Sequence, residues 1–132
     1  MYNIDRQKLG GLLVTEKDKE ILRKNHVDID TALMRFSENE ELYLKYFRSF
    51  PNDKTFSEFI DSFKVDKLWK SQNILITFMA IVGNLGFMTL YEDSRDLLRK
   101  IKNGNAGDAV IAIEKFKNTY SKITYFIKTC GI

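Results

Sequence analysis

Lys67-Leu-Trp-Lys-Ser-Gln-Asn-Ile-Leu-Ile-Thr-Phe-Met-Ala-Ile-Val-Gly-Asn-Leu-Gly86 is the stretch on which the reading of the fold turns. Three- and four-residue steps return to the same side of a helix, so Leu68, Leu75, Phe78 and Val82 form a core side, with Ile74 and Ile81 at its boundary. The opposite side carries Trp69, Gln72, Asn73, Ile76, Met79, Ala80 and Gly83. Between Ile74 and Val82 the helix is apolar nearly all round, which in a water-soluble chain calls for a cover on its outer side. Asp66 is the expected N-cap of a helix from Lys67 to about Val82, and the glycines of Gly83-Asn-Leu-Gly86 mark its end. The apolar run from 74 to 82 is far shorter than the roughly 20 residues that span a bilayer, so no membrane segment is expected.

Working outward, start and stop signals recur on both sides. Thr15 followed by Asp18 has capping-box spacing and predicts a short helix to about Lys24; Asp28-Ile-Asp30 offers caps for a second through Phe36. Ser37-Glu-Asn-Glu40 is a further capping box, ahead of Leu42, Tyr43, Tyr46, Phe47 and Phe50, and places a helix start at Glu38. Pro51 lacks an amide donor and disfavours helical geometry at Phe50, which predicts a break before Phe56, Phe59, Ile60 and Phe63 resume the stripe. Downstream, Met88 to Ile101 repeats apolar residues at helical steps and stops at Asn103-Gly104. Asn105 or Asp108 then opens a last amphipathic helix through Val110, Ile113, Phe116, Tyr120, Ile123 and Ile127. Segments near 38–64, 67–82, 87–103 and 106–128 predict an all-α fold, an antiparallel four-helix bundle preceded by short N-terminal helices. Residues 1–14, with Gly10-Gly11 and little periodicity, read as an arm whose Leu12, Leu13 and Val14 dock on a single domain spanning 15–132.

Composition narrows the function. With 44% hydrophobic and 30% charged residues and a single proline, the chain has the make-up of one helical domain. A single cysteine, Cys130, excludes an internal disulfide and points to a reducing, cytoplasmic setting. The net charge of +3 comes from bases interleaved with acids, which argues against a nucleic-acid partner. One His and one Cys provide no nucleophilic dyad and no ordinary metal site, and no phosphate-binding loop is present, so neither cofactor nor metal is expected. Asp93 and Asp96 read as a solvated helix face rather than a catalytic pair.

Three stretches in order, Asp28 to Phe36 with Glu40-Glu-Leu-Tyr-Leu44, then Gly83-Asn-Leu-Gly86, then the Gly104-Asn105 break before a final helix, resemble the histidine-containing phosphotransfer (Hpt) domain of bacterial two-component phosphorelays. The likeness covers about residues 28–128. The family's motif reads His-x-Leu-Lys-Gly shortly before a Gly-Asn-Leu-Gly-like turn. Gap-free alignment on that turn puts Ile76 at the histidine, Met79 at the lysine and Ala80 at the glycine. An isoleucine side chain has no lone pair with which to attack phosphorus, so the resemblance implies a degenerate member that is not an enzyme. His26, expected in the loop between the two short helices, lies away from the helix that presents the family's acceptor.

In the family the outer side of this helix docks receiver or histidine-kinase domains, which makes Trp69, Gln72, Asn73, Ile76, Met79, Ala80 and Gly83 the candidate partner-binding residues. Three covers compete for that side: the arm or a neighbouring helix, a partner protein, or a second copy of the chain as a homodimer. The expected function is a non-catalytic Hpt-like module that binds a receiver or kinase domain without accepting phosphate. The alternatives are phosphotransfer through an unrecognised acceptor, or a structural bundle with an unrelated partner.

Overall fold

The computed structural model describes residues 13–132, and every regular element among them is helical. The short helices begin where their caps predict. In α1, Glu16–Lys24, the Thr15 hydroxyl accepts from the Asp18 amide at 3.1 Å while the Asp18 carboxylate accepts from the Thr15 amide at 3.0 Å. Helix α2, Ile29–Arg35, starts behind Asp28, whose carboxylate accepts from the Thr31 amide. Helix α3, Glu40–Ser49, starts two residues later than Glu38, and its cap is Asn39 rather than Ser37. Ser37 and Glu38 instead close α2 in left-handed backbone, φ 54° and 60°, with the Glu38 amide donating to the Leu33 carbonyl and Ser37 to Met34. The Ser37 end of the Ser37–Glu40 signal therefore serves a helix end rather than a helix start.

The break at Pro51 is present: α3 stops at Ser49, a 3₁₀ turn spans Phe50–Asn52, and α4 occupies Thr55–Ser62. Its purpose is visible in the core. Phe50 before the break and Phe56 after it both reach Phe78 and Tyr120, and Phe56 stacks on Tyr120 with ring centroids 3.5 Å apart. A continuous helix would separate positions 50 and 56 by about 240° of azimuth and turn one ring to solvent. Each such ring pair adds roughly 0.5–1.5 kcal/mol beyond area burial.

The central helix α5 covers Gln72–Leu85, shifted from the expected 67–82 at both ends. At the start, Leu68–Ser71 form a 3₁₀ turn without a side-chain cap, so Asp66 does not cap the helix. At the finish, Gly83 lies inside α5, and the terminator is Gly86, left-handed at φ 82°. The Phe87 amide donates to Val82 and the Gly86 amide to Gly83, the paired bonds of a Schellman end. The expected core side is buried throughout at Leu68, Leu75, Phe78 and Val82, with Ile74 and Ile81 half-buried at its edge.

Helix α6, Met88–Lys102, ends at Asn103 and Gly104, and α7, Ala106–Thr129, begins behind Asn105, whose side chain accepts from the Asp108 amide. The two lie against each other as a hairpin fastened by Asp93. That carboxylate is buried, takes the Thr119 hydroxyl at 2.5 Å and lies 3.5 Å from the Lys115 ammonium. The expectation of a solvated face at Asp93 and Asp96 is thus corrected at Asp93, because Thr119 on the facing helix offers it a donor. Asp96 is more open, paired with Lys100 at 2.9 Å and with Arg99. The hydrogen bond from Lys100 holds its carboxyl below the usual range. Its small stabilising contribution is present at neutral pH and lost as pH falls through that lowered value.

Two backbone links join the front of the chain to its centre. Val27 and Phe87 form an isolated antiparallel bridge, flanked by the Asp28 amide on Gly86 at 2.8 Å and the Met88 amide on His26 at 3.0 Å. The buried Tyr43 hydroxyl donates to the Leu85 carbonyl at 2.7 Å, and burial pushes its phenol pKa up. Val14 is fully buried and its amide donates to Glu40 at 2.8 Å, while docking by Leu12 and the rest of the arm falls outside the described residues.

At Gly86 an added Cβ would lie 2.6 Å from the Asp28 carbonyl oxygen, whereas at Gly104, φ 70°, it would meet nothing within 4 Å. Alanine at Gly104 incurs only the left-handed backbone cost, about 1 kcal/mol; alanine at Gly86 must also displace a buried backbone and should cost about 3 kcal/mol or more. Urea unfolding of Gly86→Ala and Gly104→Ala checks this, and equal losses would contradict it.

Candidate functional site

Helix α5 presents its outer side with residues of mixed accessibility. Trp69, Asn73, Ile76 and Ala80 are exposed, with Trp69 at 66% and Ile76 at 45% of full exposure. Gln72, Met79 and Gly83 are half-buried. Met79 packs against the core cluster, and the Tyr91 ring lies 3.2 Å from where a Gly83 Cβ would stand. The seven residues do not form one uniform stripe. Trp69 belongs to the 3₁₀ turn, whose tighter winding offsets it from the α-helical register, and the Lys70 ammonium lies 5.7 Å from its ring centroid. Val14 is buried in the core, its amide on Glu40, Leu13 packs half-buried against it, and neither hides Ile76, which stays nearly half exposed.

At its C-terminal end the face opens into a cleft of about 490 Å³ between α2, α5 and the start of α6. Met79, Ala80 and Gly83 line it from α5, so three of the seven candidates share one concavity, while Trp69, Gln72, Asn73 and Ile76 lie outside it. Arg35 faces them from α2, and Met88, Tyr91 and Glu92 from α6. The Arg35 guanidinium donates to the Gly83 carbonyl, which ties α2 across the end of α5. Nothing in the sequence marked Arg35, since its partner is a backbone oxygen 48 positions away.

The seven candidate positions on this face carry only apolar or amide side chains, or none in the case of Gly83. Ile76 has no lone pair, Met79 no charge, and the carboxylates of Asp28 and Glu92 share their cleft with a guanidinium. Asp28 is also committed as the cap of α2. Among the described residues no group of three His, Cys, Asp or Glu side chains converges on a point where a metal ion would sit. Nor is any described helix long and apolar enough to cross a membrane. His26 lies between α1 and α2, as expected, and lines a different cleft that contains neither Ile76 nor Met79. Comparison of the chain with protein-family models, curated proteins and solved structures finds no match.

The difference between the two sides of α5 is measurable one residue apart. Leu75 is fully buried and Ile76 half exposed. Leu75→Ala should cost about 2–5 kcal/mol, and Ile76→Ala no more than about 1 kcal/mol. Chemical denaturation of both variants checks the assignment; a large loss at Ile76 would mean that this face is covered.

Proposed function

We propose that this chain is a non-catalytic, Hpt-like interaction module of cytoplasmic two-component signalling, which binds a response-regulator receiver domain or its kinase without accepting phosphate. In this reading the broken α3–α4 segment, α5, α6 and α7 constitute the antiparallel four-helix bundle of the family. Helices α1 and α2 form its entry.

The observation that supports the reading is the placement of Ile76: in the second turn of α5, outward-facing, half exposed, and ten residues before the left-handed Gly86 that ends the helix. An accessible position within the helix suits docking, and isoleucine there suits contact without chemistry. Trp69 and Ile76 supply exposed apolar area of the kind that anchors protein interfaces, and Met79 adds an adaptable edge. Met79 and Ala80 leave no ammonium to neutralise a phosphoryl group and no glycine to admit close approach. The fold would then persist as a binding surface after loss of its nucleophile.

Phosphoryl uptake and complex formation, measured side by side for wild type, Ile76→His and Ile76→Asp with phosphorylated and unphosphorylated receiver domains, test the proposal. Wild type should bind and take up no acid-labile phosphate. Ile76→Asp should weaken binding at least about tenfold, as expected for an apolar contact near the centre of an interface. Ile76→His should label weakly or not at all, given Met79 and Ala80. Labelling of wild type would overturn the proposal, as would failure to bind any receiver or kinase domain. Concentration-dependent dimerisation abolished by Ile76→Asp would assign the face to a second copy of the chain instead.

A further inference from the structure

A second cleft, of about 290 Å³, lies on the other flank of the Val27–Phe87 bridge. Its polar wall gathers Lys24 and His26 from the end of α1 and Lys122 from α7, with no carboxylate among the described residues lining it. Neither lysine is engaged in an ion pair among the described residues, in contrast to Lys19, Arg23, Lys100, Lys115 and Lys117. Lys24 has a second reason for its position, since a cation is favourable in the last turn of α1. Lys122 has none, being seven residues short of the end of α7. Asp93 accepts from Thr119, a residue of the cleft lining, and its charge is already answered by that hydroxyl and Lys115; Glu20 stands one helical turn before Lys24 but does not line the cleft.

The floor of the cleft completes an anion's requirements. Thr89 and Leu90 occupy the first turn of α6, whose N-cap residue, Phe87, makes no side-chain cap bond, and their amides have no hydrogen-bond partner among the described residues. Phe87, Ile123 and Phe126 provide an apolar side next to these donors. His26 closes α1 in left-handed backbone, φ 63°, with its amide on Arg23 and the Val27 amide on Leu22.

We propose that this cleft binds the dianion of a small phosphomonoester, its phosphoryl oxygens between Lys24, His26, Lys122 and the α6 amides and its organic part against Phe87, Ile123 and Phe126. The site is separate from the face of Ile76 and does not depend on the function proposed for that face. The volume suits a compact ligand of one phosphate and one ring rather than a nucleotide.

Titration of ¹⁵N-labelled protein with inorganic phosphate and with phenyl phosphate, against sodium chloride at matched ionic strength, tests the proposal. Both phosphates should produce saturable shifts at the Thr89 and Leu90 amides and at the His26 ring. Phenyl phosphate should bind about tenfold more tightly because its ring leaves water. Lys122→Glu, at an exposed position, should weaken both about tenfold or more while the remaining spectrum is unchanged. His26→Gly should lose affinity while gaining stability, through relief of the left-handed backbone. Unsaturating shifts, equal shifts with chloride, equal affinity for the two phosphates, or saturable binding indifferent to Lys122→Glu would each overturn it.

Discussion

The architecture depends on one close approach, that of the Gly86 backbone to the Asp28 carbonyl. Only a residue without a side chain lets α5 end in left-handed geometry while the Asp28 amide reaches the Gly86 carbonyl at 2.8 Å. Around that point three carbonyls at the end of α5 are answered from elsewhere: Gly83 by Arg35, Leu85 by Tyr43, Gly86 by Asp28. Donors from α2, α3 and the segment between α1 and α2 thus converge on the last turn of α5. The position and tilt of the central helix, and with them the outlook of Ile76, follow from satisfying these acceptors, of which those of Leu85 and Gly86 belong to buried residues.

The aromatic core imposes the complementary constraint. Phe78 on α5 meets Phe50, Phe56, Phe116 and Tyr120, so one ring is shared by the 3₁₀ turn at Pro51, α4 and α7. Proline at the break does more than end a helix. It resets the azimuth of the chain so that aromatic residues six positions apart point the same way.

How much of this was readable beforehand depends on the range of the interactions involved. Local devices were legible: the Thr15–Asp18 box, the Asp28 and Asn105 caps, the Pro51 break and the Asn103-Gly104 stop all act within a few residues. Ser37 misled because the same residue types serve helix starts and left-handed helix ends, and the choice between them was made by the Leu33 and Met34 carbonyls. Asp66 misled because Leu68–Ser71 tightened into a 3₁₀ turn, and Gly83 because Tyr91 packs where its side chain would be. Burial of Asp93 required Thr119, 26 residues away on another helix. Periodicity alone identified the buried side of α5 and the exposure of Asn73, Ile76 and Ala80, but not the half-burial of Gln72, Met79 and Gly83, and the grouping of Met79, Ala80 and Gly83 with Arg35 in one cleft arises from the packing of α2 and carries no sequence signal.

The bridge between Val27 and Phe87 closes a loop of 87 − 27 = 60 residues. Drawing together the ends of such a loop carries an entropy cost whose length-dependent part is about 3–4 kcal/mol, more than its two flanking hydrogen bonds return at roughly 1 kcal/mol each. The bridge therefore stands on the side-chain burial around it, with Val27 and Phe87 both almost wholly enclosed. Phe87 is also a wall of both clefts. Displacement of that single ring alters the two hollows at once, so occupants of the two, though their binding residues are otherwise separate, would share one mechanical partition.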